Sequence, residues 1–413
     1  MNRPTKWVVN HRARREGAKA SLALFTPERV QSVRAFHRGF PRYGVTPLSS
    51  LPNLAGRLGV AGVYVKDESC RFGLQAFKVL GGSYAIGRYL AGRLGVDLSR
   101  LPFPVLAGPE TRARLGVLTF TSATDGNHGR GVAWAARRLG HRAVIYMPKG
   151  SSRVRLENIR EAGGEASITD LNYDDAVRLA AAHAAANGWV VVQDTAWEGY
   201  SDIPAWIMQG YATMAAEALE QLRAAGVAMP THILIQAGVG SLAGAMVGFF
   251  AAAGGAARPL TAVVEPDRAD CIYRSALAGE PRSVTGHMDT IMAGLACGEP
   301  NPLSWPILWD YADLFISCPD EVTALGMRVL GNPLGDDPRV VSGESGAVTT
   351  GILAACARGE GFAGLRSALG LDAGSRVLVF STEGDTDPAA YRRIVWDGHY
   401  GLDCPGARDE GKY

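Results

Sequence analysis

Lys78 stands in QAFKVLGG, behind two apolar residues and ahead of Val79, Leu80 and a glycine pair. Apolar surroundings disfavour the charged form of a lysine, which readies its amine to attack an aldehyde. The competing reading is an alkyl stem lying over apolar surface with its ammonium in water. Two carboxylates keep similar company, Asp125 in SATDGNHGRG and Asp194 in QDTAWEGY. A carboxylate partly withdrawn from water is a stronger base than usual and can take a proton from an acidified carbon. The structural alternatives are an Asx turn before Gly126 for Asp125 and a helix N-cap over Thr195 to Tyr200 for Asp194. The turn AGVGSLAG offers consecutive backbone N–H groups at a helix start, a cradle for one phosphate. Gly238, Gly240 and Ala243 also satisfy GxGxxA, with Glu265 at the end of the next strand as a ribose partner, so a nicotinamide-dependent dehydrogenase fits that turn too. A dehydrogenase, however, gives Lys78 and Asp125 nothing to do.

These residues need a scaffold that brings loops together. Short β-branched runs at Val63 to Lys66, Val117 to Thr121, Ala143 to Met147, Val190 to Gln193, Ile233 to Ala237, Thr261 to Val264 and Val377 to Ser381 predict buried strands. Between them, Gly131 to Leu139, Arg153 to Ala162, Asp174 to Ala186 and Leu242 to Ala253 predict helices. Strand alternating with helix predicts an α/β class with largely parallel sheets flanked by helices. In such sheets ligands bind beyond the carboxyl ends of the strands, where all three loops above fall.

The chain has 413 residues, 42 basic against 40 acidic, and a net charge of +2. That balance argues against a nucleic-acid partner and against a disordered polyelectrolyte. The 25 uncharged residues from Ile233 to Ala257 are long enough to cross a bilayer. With six glycines and a GVGS break, they read instead as a strand, a turn and a buried helix, so no membrane partner is expected. The N-terminus is basic without an apolar stretch behind it, which predicts a cytoplasmic protein. The cluster Arg12, Arg14, Arg15 and Lys19 reads as a solvated face, and the last ten residues as a tail. Six cysteines without a CxxC pair predict neither a disulfide framework nor a metal knuckle; Cys271 and Cys297 are expected as two thiols.

AFKVLGG, SATDGNHGRG, AGVGSLAG and FSTEGDTD occur in the order found in pyridoxal-phosphate enzymes of the tryptophan-synthase-β fold type, also called fold type II. TDGNHGRGVAWAA, QDTAWEGY, MAGLACGEP, SGESGAVTTG and STEGDTDP together resemble the diaminopropionate ammonia-lyase family, from about residue 20 to residue 400. The resemblance implies pyridoxal 5'-phosphate bonded to Lys78, with Asn127 on its phenolic oxygen and Gly238, Val239, Gly240, Ser241 and Leu242 as the phosphate cup. It further implies Ser381 at the pyridine nitrogen, with Thr382 as substitute, and Glu344 near the ring edge. A hydroxyl at that nitrogen leaves it largely unprotonated. Ala76 departs from the serine that many relatives carry two places before the lysine.

The expected reaction eliminates ammonia from D- or L-2,3-diaminopropionate, a small amino-acid substrate. Lys78 serves the L-isomer, Asp125 the D-isomer, and Asp194 faces the substrate's β-ammonium group. His128 is expected to fix its loop; Trp197, Tyr200 and Trp206 are candidates for the pocket wall. The alternative is another β-eliminase or β-replacement enzyme, such as a serine or threonine dehydratase. The resemblance also implies a homodimer and two domains, a large one over 1–115 and 205–413 and a small mobile one over 116–204.

Overall fold

The computed structural model describes residues 3–13, 19–358 and 361–401. Arg14, Arg15 and the C-terminal ten residues named above lie outside them. Two sheets organise the chain. The larger uses β1 (Lys6–Val9), β2 (Leu48–Ser50), β3 (Gly62–Asp67), β8 (His232–Gln236), β9 (Leu260–Pro266), β10 (Leu314–Cys318) and β11 (Arg376–Ser381), in the order β1-β10-β9-β8-β11-β3-β2. Its five inner strands run parallel, and the short outer strands β1 and β2 pair antiparallel. The smaller sheet has the order β6-β5-β4-β7, from β4 (Thr119–Ala123), β5 (Arg142–Met147), β6 (Glu165–Ile168) and β7 (Val190–Val191), all parallel. Parallel strands covered on both faces need continuous apolar runs, and β8, β9 and β10 are buried nearly throughout. We propose 116–204 as the smaller unit because its four strands pair only with one another.

Every strand expected from the sequence is present, with β4 starting two residues later than read and β7 shortened to two residues. Four strands fall outside that expectation. β2 and β6 are three or four residues long, largely unburied and without an apolar run, and β1, although it reads KWVV, is an equally short and part-exposed edge strand. β10 does carry an apolar run, in LFISC.

The helices that bear on the site are α1 (Val79–Leu94), α2 (Asn127–Arg138), α3 (Arg153–Glu161), α4 (Tyr173–Asn187), α5 (Asp202–Ala224), α6 (Ser241–Gly254), α7 (Cys271–Ala278) and α8 (Pro388–Val395). The segment from Ile233 to Ala257 is strand, turn and buried helix, and no described helix is long and apolar enough to cross a membrane. α1, which follows Lys78, is anchored by backbone contact. A Cβ at Gly210 of α5 would lie 2.4 Å from the Leu80 carbonyl oxygen and 2.7 Å from Gly81 Cα. Two helices can approach this closely only where side chains are missing.

Gly210→Ala should therefore cost roughly 1–3 kcal/mol through overpacking. Gly92→Ala on exposed α1 surface, where a Cβ meets nothing within 4 Å, should be neutral or stabilising by about 0.5–1 kcal/mol. Denaturant midpoints of the two variants check the contrast.

Candidate active site

Lys78 is carried by a segment zipped to the end of β11. Phe77 N donates to the Thr382 carbonyl at 3.1 Å, Gly384 N to the Gln75 carbonyl at 2.9 Å, and Ala76 bridges Glu383. Ala76 contributes here through its backbone. Gln75 holds φ +56 to make the turn. Lys78 then emerges at the start of α1 with Nζ 2.7 Å from Asp194 Oδ2, across the gap between the two sheets.

Burial alone would pull the Lys78 amine down, as the sequence suggests. Asp194 outweighs it, with smaller contributions from Tyr211 and Asp125, and the amine is held well above its ordinary value. The expectation of a depressed lysine is thus corrected by a partner it did not foresee. Burial would likewise raise the Asp194 carboxyl, but Lys78 and then His128 hold it down to about 2. No helix starts after Asp194: Trp197 and Tyr200 close a tight turn and stack at 4.1 Å, which rules out the N-cap alternative. The Tyr200 hydroxyl is spent on the backbone of Val191 and Gln193, and Trp206 lies under Arg88. These three aromatics do not line the cavity, and Tyr173 on α4 does. His128 Nε2 donates to the Val192 carbonyl at 2.7 Å and fixes the loop.

Lys78 and Asp194 line two connected spaces. The inner slot, about 40 Å³, is bounded by Gly238, Val239, Gly240, Ser241, Leu242, Asn127, Tyr211, Gln236 and Thr382. Gly240 holds φ +94, and a Cβ there would lie 2.8 Å from Ser304 Oγ, so the turn into α6 must be glycine. The Ser241 hydroxyl donates to the Asp194 carbonyl and accepts from Asn301, leaving its backbone N–H for the cup. Asn127 donates to Glu383, which also accepts from Ser345 N.

The two candidates for the pyridine nitrogen separate cleanly. Ser381 hydrogen-bonds Ser342 at 2.8 Å and borders neither space, because consecutive residues leaving a strand face opposite ways. Thr382 borders the slot, and its Oγ accepts from Gln236 Nε2 at 2.8 Å. With that lone pair occupied, the Thr382 hydrogen is free to be given to an unprotonated ring nitrogen. Among the described residues, Tyr211 OH and Gln236 Oε1 are buried in the slot without a partner. Amide cup, amine, free hydroxyl and orphaned polar atoms fit a phosphorylated pyridine aldehyde.

Glu265 has no ribose role: its carboxylate accepts from Ile272 N at 2.9 Å and Tyr273 N at 2.6 Å, capping the first turn of α7. That removes the dinucleotide reading of the glycine turn.

The outer cavity, about 390 Å³, is lined by Asp125, Arg155, Tyr173, Cys297 and Glu344 beside Lys78 and Asp194. Glu344 borders this outer cavity beside Arg155 and does not border the inner slot. Asp125 is not isolated, since Arg155 Nη1 lies 3.2 Å from its Oδ2. Sequence reading missed Arg155, Tyr173, Gln236 and Tyr211, which sit in ordinary helix and strand patterns without a motif, and Glu383, which stands inside FSTEGDTD but was assigned no role there. Cys271 and Cys297 are free thiols.

A lysine amine, consecutive backbone N–H groups at a helix start and a free threonine hydroxyl around one slot are the features of a pyridoxal-phosphate enzyme. The family model described as pyridoxal-phosphate dependent enzyme matches residues 40–383. The chain is 52% identical to diaminopropionate ammonia-lyase of Salmonella typhimurium over 401 residues, 96% of this chain and 99% of that protein. The crystal structure of selenomethionine-incorporated holo diaminopropionate ammonia-lyase from Escherichia coli matches with TM-score 0.91 and 50% identity, covering 98% of this chain and all of that one. A second Escherichia coli structure, in complex with an aminoacrylate–PLP azomethine reaction intermediate, matches at TM-score 0.89 and 50% identity over 97% of this chain and 98% of that one. The chain belongs to the pyridoxal-phosphate-dependent enzymes, in the diaminopropionate ammonia-lyase family.

Thr382→Val should weaken retention of pyridoxal phosphate roughly tenfold, the size of one buried hydrogen bond, while Ser381→Ala should change it less than about twofold. Absorbance titration of cofactor-stripped protein measures both.

Proposed function

We propose that this chain eliminates ammonia from 2,3-diaminopropionate, with water yielding pyruvate and two ammonia in all. The observation that carries the reading is the Lys78–Asp194 pair at 2.7 Å, shared by the cofactor slot and the substrate cavity. Pyridoxal phosphate, when bound, supplies an aldehyde that bonds amines and a ring that takes up the electron pair left by a departing α-proton. Residues 238–242 hold its phosphate, Thr382 its ring nitrogen and Asn127 its phenolic oxygen.

Once substrate has displaced the amine, Lys78 takes the α-proton of the L-isomer. Asp125, on the loop after β4, takes that of the D-isomer from the opposite side. Asp194, 2.7 Å from Lys78 Nζ, stabilises the ammonium that Lys78 becomes once it has taken that proton, and it keeps the substrate's β-nitrogen charged, since an amine departs readily only in that state. A carboxylate for this purpose is needed by a diamine and not by a hydroxyamino acid, which favours diaminopropionate over serine or threonine. Closure of residues 116–204 over the mouth would exclude water before the proton moves. The reading includes a homodimer in the cytoplasm, supported by the resemblance alone.

Lys78→Ala should abolish the visible absorbance of covalently held cofactor; an unchanged spectrum would remove Lys78 from its role. Asp125→Asn should lower turnover of the D-isomer by about 10²-fold or more, the scale of a lost general base, and that of the L-isomer far less. Pyruvate release from each isomer reads the split, and equal losses on both would end the division of labour.

A further inference from the structure

A carboxylate that must take a proton from carbon has to present one oxygen in a fixed direction, and its own loop does not fix Asp125. The residue stands two positions past the end of β4 and precedes Gly126, whose φ of +155 suits only glycine. What holds it comes from α3. Arg155 lays its stem flat against the loop, so that a Cβ at position 126 would lie 3.1 Å from Arg155 Cδ and 3.2 Å from its Cβ. Its side chain is 8% exposed, and Nη1 reaches Asp125 Oδ2 at 3.2 Å. Nη2 lies 3.9 Å from Glu344 Oε2, and Nε is buried without a partner.

We propose that Arg155 is the positioning residue for Asp125: it ties down one carboxylate oxygen, leaves the other to the substrate, and thereby governs turnover of the D-isomer and not of the L-isomer. This rests on the reading of Asp125 as the base for the D-isomer.

Three observations support the assignment. First, the guanidinium is a committed charge. Burial works against it, but Asp125, Glu383, Glu344 and Asp387, in that order, keep it above its ordinary value. Second, its other near carboxylate is a weak competitor. Glu344 Oε2 lies 3.9 Å from the guanidinium against 3.2 Å for Asp125 Oδ2, and burial with the neighbouring Glu383 raises the Glu344 carboxyl, which weakens its hold on the arginine. Third, the L-isomer arm is separate. Lys78 is paired with Asp194, and no hydrogen bond joins Arg155 to either among the described residues. The other groups whose charge Asp125 meets are Lys78 at the start of α1, His128 on α2, Tyr173 on α4 and Cys297 on the wall opposite. Of these, the buried Cys297 thiol is pushed up to about 12 and Tyr173 well above its ordinary value, so neither titrates near neutrality.

The test measures kcat and KM of the holoenzyme for both isomers in Arg155→Met and Arg155→Lys, beside Asp125→Asn. In Arg155→Met, kcat for the D-isomer should fall at least about tenfold, the cost of a loosened reacting group, with KM changed less than about threefold. L-isomer turnover should stay within about twofold, and Arg155→Lys should recover part of the D-isomer rate, since it restores the charge without the fork. Equal losses on both isomers would show a merely structural arginine and overturn the proposal. Should Arg155→Met not fold, Arg155→Lys decides alone, by a loss confined to the D-isomer or its absence. If Asp125→Asn spares the D-isomer, the reading of Asp125 fails and the proposal with it. If Asp125→Asn abolishes D-isomer turnover while Arg155→Met leaves it intact, only the positioning role fails.

Discussion

A lysine ammonium and an aspartate carboxylate 2.7 Å apart, both nearly shut off from water, are the contact on which the rest of this structure converges. Removing two charges from water is costly, and their attraction repays it only where further hydrogen bonds support them. Here the support is built in. The carbonyl of Asp194 receives the Ser241 hydroxyl, Ser241 opens the helix behind the phosphate cup, and His128 grips the strand that delivers Asp194. The amine, the carboxylate and the cup therefore share one framework, and a shift in any of them strains the other two.

The class of fold, the parallel strands and the three loops at their carboxyl ends were readable because parallel strands buried on both faces spell themselves as unbroken apolar runs. The site divides by the same logic. Lys78, Asp125, Asp194 and the 238–242 turn stand in short segments whose composition makes little sense as packing. Arg155 looks like any arginine in the first turn of a polar helix, and only its third dimension reveals that it leans on Gly126 and meets Asp125. The choice between Ser381 and Thr382 also needed coordinates, because adjacent hydroxyls at a strand end are alike until one knows which way each points. The protonation of Lys78 was misread for a related reason. Apolar neighbours in sequence say nothing about a carboxylate that arrives from 116 positions away.

Away from the cavity, the approach to Lys78 is stiffened by charge. Arg71 binds Glu68 and Glu217, each at 2.7 Å, and Lys66 lies 3.0 Å from Glu217, all four side chains fully buried. This knot ties β3 and the turn after it to α5, the helix that meets α1 at Gly210. Breaking such a cluster by removing one member costs about 3–5 kcal/mol, because the remaining charges stay where water cannot reach them. The turn ahead of Lys78, which includes Phe72 at φ +52 as well as Gln75, is held by this frame.

β11 lies between β8 and β3 in the interior of the large sheet, yet it is the last strand of the described chain. A ribosome delivers it after every other strand of the two sheets. Until residues 376–384 leave the exit tunnel, the nascent polypeptide has a gap through the middle of its main sheet, with the edges of β3 and β8 unpaired. The segment before Lys78 likewise waits for Thr382 and Glu383 to close against it. The amine of Lys78 is synthesised long before the strand that sets its segment in place. A nascent chain truncated before that strand would have no finished pocket in which to hold a reactive aldehyde.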